Sequence, residues 1–512
     1  MKNTFRKIAL SLLVVCLFVF NQFAQDFQIP ETKLRGLENV YEVPGKGYAA
    51  CYYQGKQSGK ERIFDVKFLD YSFSEYNSSK IALHKYAYST GSAKNDKRLA
   101  LSFVEAKNKV LKIFQFDDEG EQLGVTDLSF ETAFSEDMHS YMPVSNIYPA
   151  EGGFLVTLLK KKGLKYSYKI AFITDDMEVA WESELGDPKE TVMVHDAVGS
   201  KENVYVSYIR GKGMKFANFD NYVASFDASG KMQFEEKLSN AFSGSDEKLY
   251  YASILKAQND RLYVFGSYYD KRSPLGLFGV AFNSEGGVDF SSELKWADHF
   301  ASKIQFLEDQ DEESDKKDKT NVDEDPLLMI GDVFLQEDGS FQLIAETVKK
   351  RTVVGASAYV STGGGGGSIQ INTAYFFQDI VAITLDENLE SPEIVVIPKK
   401  QNKMIVEGVG HHFSFLQQRI KAYSVNNYRL SIANDDGSRD VIYTLRKKFS
   451  SELKIAYATV DGTEDKVESN VYQSEIEKLK KIRRFGVLKG EGSSVMVYLH
   501  EDDTIKFFLL ER

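Results

Sequence analysis

The chain has 512 residues and a formal net charge of −12; 43% of its residues are hydrophobic and 13% aromatic, with only 9 Pro. That composition supplies a large core and excludes collagen-like and proline-rich classes. The acidic balance argues against a general nucleic-acid binder, which needs surplus Lys and Arg facing phosphates.

Residues 1–24 read as a signal peptide. Lys2, Arg6 and Lys7 precede a run from Ile8 to Phe20 that is apolar except for Ser11. The run is shorter than the roughly 20 residues that span a bilayer, and it suits a secretory signal. Cys16 follows Val15 and is itself followed by further apolar residues, a poor context for lipidation. The expectation is an exported protein, periplasmic, outer-membrane-associated or extracellular, with no transmembrane segment in the mature chain. Loss of Cys16 leaves Cys51 alone, so no internal disulfide can form. Cys51 lies in Tyr48-Ala49-Ala50-Cys51-Tyr52-Tyr53, where a small buried hydrophobe is expected.

A two-part unit then recurs: a short apolar run, followed by an alternating strand, a polar turn and another strand. Leu99–Phe103 is followed by Ile113–Gly120, Phe154–Leu158 by Ala171–Asp176, Val204–Tyr208 by Val223–Gly230, and Leu262–Phe265 by Val280–Gly286. Later copies are stretched: Phe341–Ile344 pairs with Ile380–Asp386, and Tyr428–Ile432 with Ile455–Gly462. In the Asp-x-x-Gly turns, Asp accepts hydrogen bonds from amides ahead of it and Gly takes the positive φ of a tight hairpin. Units start near Tyr48, Leu99, Phe154, Val204, Leu262, Phe341, Tyr428 and Val495. Such spacing suits four-stranded propeller blades. The expected fold is an all-β propeller of about seven blades in one domain, residues 25–512, closed by N- and C-terminal strands. The hairpin of Val495–Leu499 and Ile505–Leu510 would complete a blade whose remaining strands come from near the N-terminus. Two consecutive β-sandwiches are the competing fold.

Two insertions interrupt the pattern. Residues 307–326 form an acidic loop, with EDQDEESDKKDKTNVDED from Glu308 to Asp325. It lacks the spacing of an EF-hand. Residues 350–378 form a Gly-rich arm. Its five glycines, Gly363 to Gly367, are not followed by the Gly-Lys-[Ser/Thr] of a phosphate loop. Strand-like flanks, 353–360 and 369–377, suggest a hairpin protruding from one blade as a contact surface. Ser474–Arg484 reads as a short helix with Ile476, Leu479 and Ile482 on one stripe.

The chain contains no H-E-x-x-H, C-x-x-C or G-x-S-x-G. Seven histidines are scattered, and only His411 and His412 are adjacent. Neighbours on a strand face opposite ways and cannot chelate one metal side by side, so the pair is put forward only as a ligand contact on a loop. No catalytic, cofactor-binding or metal residue is assigned, and no cofactor is expected.

With its Phe-Asp-x-x-Gly turns and the phrases DGSFQLIAE (338–346), FFQDIVAITLD (376–386) and VIPKKQ (396–401), the chain resembles a family of uncharacterised exported proteins of Bacteroidetes-type bacteria. The resemblance implies a propeller-like fold and brings no reaction or catalytic residue. The resulting expectation is a non-catalytic binding or scaffold protein of the cell envelope, its partner an unknown protein or glycan. The alternative is a carbohydrate-active enzyme using an axial carboxylate pair.

Overall fold

The computed structural model describes residues 27–28, 36–56, 61–130, 145–162, 165–186, 190–211, 219–243, 248–270, 273–304, 326–359, 366–399, 402–406, 428–446, 453–461, 467, 469–472, 482–501 and 504–511. Short β-branched and aromatic runs separated by polar turns fold into antiparallel strands, as alternation dictates. After β1 (Phe27–Gln28), blade one is β2–β5 (Gly36–Val43, Gly47–Lys56, Glu61–Asp70, Glu75–His84). Blade two is β6–β9 (Tyr88–Lys94, Leu99–Glu105, Val110–Phe116, Gln122–Ser129) and blade three is β10–β13 (Ser145–Ala150, Gly153–Lys162, Lys165–Thr174, Val179–Leu185). Blade four is β14–β17 (Thr191–Gly199, Asn203–Gly211, Phe219–Asp227, Met232–Lys237) and blade five is β18–β21 (Lys248–Gln258, Arg261–Asp270, Ser273–Phe282, Val288–Lys295). Blade six is β22–β25 (Leu327–Leu335, Phe341–Tyr359, Gly366–Leu385, Glu393–Ile397), with β26 (Asn402–Val406) added to β24. Blade seven is β27–β30 (Tyr428–Ala433, Arg439–Arg446, Leu453–Val460, Asn470–Val471). Blade eight is β31–β33 (Ile482–Lys489, Val495–Glu501, Thr504–Leu510), completed by β1.

The fold is therefore an all-β propeller, not a pair of sandwiches, and its blades number eight rather than seven. The miscount has a local cause. β31 occupies residues that the sequence assigns to the end of a helix; Ile482 and Arg484 instead pair with Glu501 and His500 of β32. Three C-terminal strands thus make most of a blade, and the N-terminus adds only Phe27 and Gln28, opposite Phe507 and Lys506.

The chain divides into two compact units. One comprises Met1–Lys85, Asp118–Glu121 and Tyr472–Arg512, and the other Tyr86–Asp117 and Gln122–Val471. In the first unit, Tyr48, Tyr52, Leu69 and Phe73 of blade one pack against Met496, Tyr498, Ile505 and Phe507 of blade eight. In the second, each apolar cluster bridges consecutive blades. Tyr205 and Val223 meet Tyr250 and Val264, Phe265 and Leu277 meet Phe341 and Val381, and Ile380 and Ile397 meet Tyr443 and Ala456. Cys51 is buried in blade one.

The Asp-x-x-Gly turns do more than reverse the chain. In the turn of blade four, Asp227 Oδ1 accepts the N–H groups of Ser229 and Lys231 at 2.9 and 3.0 Å. Gly230 has φ +76°, and a Cβ there would lie 2.7 Å from Cε3 of Trp181 in blade three. Trp181 is itself held between Phe172 and Phe226, at 6.0 and 6.1 Å. Blade five repeats the joint, with Gly286 against Phe234 of blade four. The turn glycine therefore serves two ends, a left-handed backbone and a flat seat for the ring of the preceding blade.

A second device recurs in the first strand of the blades. Among the described residues, seven of the eight first strands are bulged against the second, between Leu37 and Asn39, Ser89 and Gly91, Val194 and Asp196, Ala252 and Ile254, Ile330 and Asp332, Tyr428 and Leu430, and Ile482 and Arg484. A bulge inserts one residue and twists the strand. Its disturbed amides are answered locally. Asp196 Oδ1 accepts Ala197 N–H and its Oδ2 accepts Leu255 N–H of blade five, both at 2.9 Å. Asn39 accepts Val40 N–H at 3.0 Å and the Tyr498 hydroxyl of blade eight at 3.1 Å.

Candidate functional site

In a four-stranded antiparallel blade, the first and third turns lie at one end of the strands. The second turn, and the connection to the next blade, lie at the other. Within the second unit, the connections 130–144, 296–326 and 398–427 join blades at the latter end, and the Gly-rich arm is the second turn of blade six. Most turns at the opposite end are short, as Gly199–Asn203 and Gln258–Arg261 illustrate, the nine residues between Val460 and Asn470 being longer. A rigid scaffold that varies its loops on one side places its interactions there.

The arm is a long β-ribbon. β23 and β24 pair without a break from Val348↔Phe377 to Tyr359↔Gly366, far past the point where β22 ends its pairing at Leu327↔Val348. β26 adds a third strand, with Asn402–Val406 opposite Phe377–Thr373. The ribbon leaves the blade at a bulge between Glu346 and Val348, where Thr347 faces two residues, Gln378 and Asp379.

A network of buried polar side chains fills that root. The Lys399 and Glu346 side chains, 0% and 1% exposed, form an ion pair. The Lys399 N–H donates to Asp379 Oδ1 at 3.0 Å, and Thr347 Oγ1 donates to the Asp379 carbonyl at 3.0 Å. Glu346 Oε2 also accepts the N–H of Tyr428, in blade seven, at 3.5 Å. Burial pulls the Lys399 ammonium below its ordinary pKa, against the attraction of Glu346 and Asp379 and with Arg429 adding to the depression. A depressed lysine is a familiar nucleophile, but this one is sealed from solvent and gripped by a carboxylate. Its geometry suits an anchor. It ties the β25–β26 connection to both arm strands.

Two further clusters sit at the same strand ends of blades four and five. Arg210 bridges Glu190 at 3.2 Å and Glu235 at 2.8 Å and lies 3.9 Å over the Tyr222 ring, while Tyr208 donates to Glu235. In blade five, Lys248 pairs with Glu293 at 2.6 Å, and Tyr250 donates to the same carboxylate and stacks on Phe242 at 4.3 Å. Glu235 and Glu293 are each engaged by a cation and a phenol, an arrangement that braces strand ends.

His411 and His412 lie outside the described residues, as do residues 1–24 and most of the acidic loop. Among the described residues, no group of three or more His, Cys, Asp or Glu side chains is placed to hold a metal, and no helix is long and apolar enough to cross a membrane. Sequence reasoning missed Glu346, Asp379 and Lys399, although each stands inside one of the three phrases that carry the family resemblance.

Solved structures share only low overall similarity with the chain. A protein of unknown function from Bacteroides caccae is 15% identical, with a TM-score of 0.27, covering 50% of this chain and 81% of that one. An apocarotenoid oxygenase mutant from Synechocystis is 9% identical at TM-score 0.29, covering 48% and 58% respectively. The subtype N10 neuraminidase-like protein of A/little yellow-shouldered bat/Guatemala/060/2010 is 8% identical at TM-score 0.32, covering 72% and 93%. Among curated proteins none matches. A family model does match, over residues 4–509, and by it the chain belongs to the family of unknown function DUF6770.

Proposed function

We propose that this protein is an exported, non-catalytic binding or scaffold protein of the cell envelope, with the β23–β24–β26 arm as its contact element. The observation that carries the reading is the arm's root. A ribbon this long is tied to its blade by a buried ion pair and directed hydrogen bonds, which is how a contact element is held at a fixed angle. Support for export comes from the basic and apolar N-terminal segment. Support for a non-catalytic role comes from carboxylates engaged in bracing pairs at the loop-rich strand ends.

The test replaces residues 351–374 by a tight turn in the producing cell. The shortened protein is expected to fold, to fractionate with the envelope, and to lose one or more complexes captured by chemical cross-linking in cells. Unchanged cross-linked species would refute the contact role. Turnover of a polysaccharide by the purified protein would refute the non-catalytic reading. N-terminal sequencing of the recovered protein should give a start near residue 25; an intact Met1 would refute processing.

A further inference from the structure

The root network accounts for how the arm is held, not for what the end that bears it meets. Consecutive blades of the second unit stand in the same sense. A parallel bridge joins Glu151 and Ser200 in the first turns of blades three and four, and Gly286 in the third turn of blade five seats Phe234 beside that of blade four. Tyr263 meets Phe341 at 4.6 Å beside the first turns of blades five and six, and Arg439 donates to Gln342 at 2.9 Å beside those of six and seven. The first and third turns of blades three to seven therefore share one end, and the second turns share the other.

Charge is divided between these ends. The ten first and third turns, taken between the strand limits given above, hold 18 Asp or Glu and 3 Lys or Arg. Around the second turns the sign reverses. Residues 160–165, 210–218, 270–273 and 446–454, with 349–351 at the foot of the arm, hold 16 Lys or Arg and 2 Asp or Glu. Lys160 and Arg210 are engaged by carboxylates of their own blades. A strand of 10 residues such as Gly153–Lys162 separates the ends by about 33 Å, roughly four Debye lengths at physiological salt. A surface at the basic end is thus screened from the acid of the other, and the chain's net charge of −12 does not describe what it meets. The arm leaves the second unit at this basic end, and its run from Thr352 to Gln378 contains no Asp, Glu, Lys, Arg or Pro, in a chain that is 27% charged.

We infer that the basic second turns of blades three to seven dock this protein on an anionic phospholipid bilayer, with the uncharged arm entering the bilayer interface. The inference rests on the arm being a contact element and names what it contacts. Two observations select a bilayer over a soluble acidic polymer. Lys and Arg close to a surface are drawn to anionic headgroups, and stable peripheral binding takes an apolar signal beside a polybasic one. The second turns supply the polybasic signal. The arm supplies the other, with Val353, Val354, Ile369, Ile371, Phe376 and Phe377 in its sequence. A soluble polyanion would use the charge and leave an uncharged ribbon that extends 12 paired residues past the blade without a role. The connections between blades bring acid to the same end, above all residues 308–325 with 10 Asp or Glu and 3 Lys, and that segment opposes docking.

The test is flotation of the chain recovered from the producing cell with phosphatidylglycerol–phosphatidylethanolamine vesicles and with phosphatidylcholine vesicles. Binding to the first, weakened by added salt, and little to the second is expected. Lys161→Gln with Lys162→Gln should lower the partition coefficient by at least about tenfold and leave the melting temperature unchanged. Lys271→Gln with Arg272→Gln repeats the test in blade five, in case the first variant misfolds. Replacing residues 351–374 by a tight turn should lower it several-fold, and deleting residues 308–325 should raise it. Glu337→Gln with Glu387→Gln, at exposed positions of the opposite end, should leave it within about twofold of wild type. No binding to anionic vesicles, or binding that follows net charge whichever end is altered, overturns the inference. So does binding abolished by deleting residues 308–325. Binding to a soluble acidic polysaccharide such as polygalacturonate, with none to vesicles, overturns it in favour of a glycan and leaves the contact role of the arm standing. That role fails separately, by the in-cell cross-linking experiment.

Discussion

Replacing Lys399 with methionine removes one half of an ion pair whose side chains are both sealed from water. Glu346 would then be a buried carboxylate that has lost its ammonium partner and keeps a long contact from the Tyr428 N–H at 3.5 Å. Leaving one buried charge uncompensated typically costs about 3–5 kcal/mol. With an unfolding entropy of roughly 2.1 cal/mol/K per residue, a loss of that size lowers the melting temperature of a chain this long by about 4 °C. Glu346→Leu should do the same from the other side. The double variant Lys399→Met, Glu346→Leu should recover most of the loss, because apolar replacement of a buried pair is often neutral or better. Differential scanning calorimetry on the four proteins completes the cycle.

The same pair should show a pH signature. The folded-state pKa of Lys399 lies below its free value of 10.5. Between the two values the unfolded chain holds the proton and the folded chain does not, so raising pH through that interval favours the folded state. The handicap of burying the ammonium is full below the folded value and gone above 10.5. Wild type should therefore gain stability relative to Lys399→Met as pH rises toward 10.5. A single variant as stable as wild type, or a stability difference flat across that interval, would refute the account of the root as a desolvated ion pair.

Two other substitutions test the joints between blades. Gly230→Ala places a methyl group 2.7 Å from the Trp181 ring and forces alanine to φ +76°, whereas Gly437→Ala, at φ +84° with nothing within 4 Å, meets only the backbone strain. The second should cost about 1 kcal/mol and the first at least about 1 kcal/mol more, read by paired melting curves; equal losses would show that Trp181 simply yields. Asp196→Ala orphans two amides, Ala197 N–H and Leu255 N–H. It should destabilise by about 2 kcal/mol and speed hydrogen exchange at both, and unchanged exchange at Leu255 would remove Asp196 from the joint between blades four and five.

What could be read from residue order depended on how regular each strand is. Second and third strands, such as Val204–Tyr208 and Val223–Phe226, are short runs rich in β-branched and aromatic residues with no bulge between them, and the third ends in a polar turn, so both strand and turn were visible. First strands carry a bulge that shifts the two-residue period in mid-strand, as at Val194 and Asp196, so most of them were not recognised. Every unit except that at Tyr428 consequently seemed to begin one strand late. Blade eight suffered most. Ile482, Arg483 and Arg484 follow a lysine-rich stretch with good helix propensity, and only pairing with β32 reveals them as a strand. The arm was legible as a protruding hairpin from its flanks, but its root was not. Pro398-Lys399-Lys400 looks like any solvated turn, because a buried lysine and an exposed one are written with the same letter. Only the third dimension places Glu346 against it.

The root raises a question of why charge was used where leucine would pack. An apolar plug at that bulge would hold the strands together without saying at what angle they leave, since hydrophobic contact is non-directional. Here each polar contact fixes a direction. Thr347 binds the Asp379 carbonyl across the bulge, Asp379 in turn receives the Lys399 amide, and the ammonium reaches back to Glu346 on the other arm strand. The three segments that form the arm's base are thus closed into one loop of contacts. Stability and positioning should then separate in the double variant Lys399→Met, Glu346→Leu. Its melting temperature should return close to wild type, while amide exchange in β26 and the facing Thr373–Phe377 segment should quicken several-fold, because the β25–β26 connection has lost its side-chain tie to Glu346 and keeps only the amide of residue 399 on Asp379. Exchange as slow as in wild type would mean that the ribbon is positioned by its backbone ladder alone, and that the buried charges are tolerated rather than used.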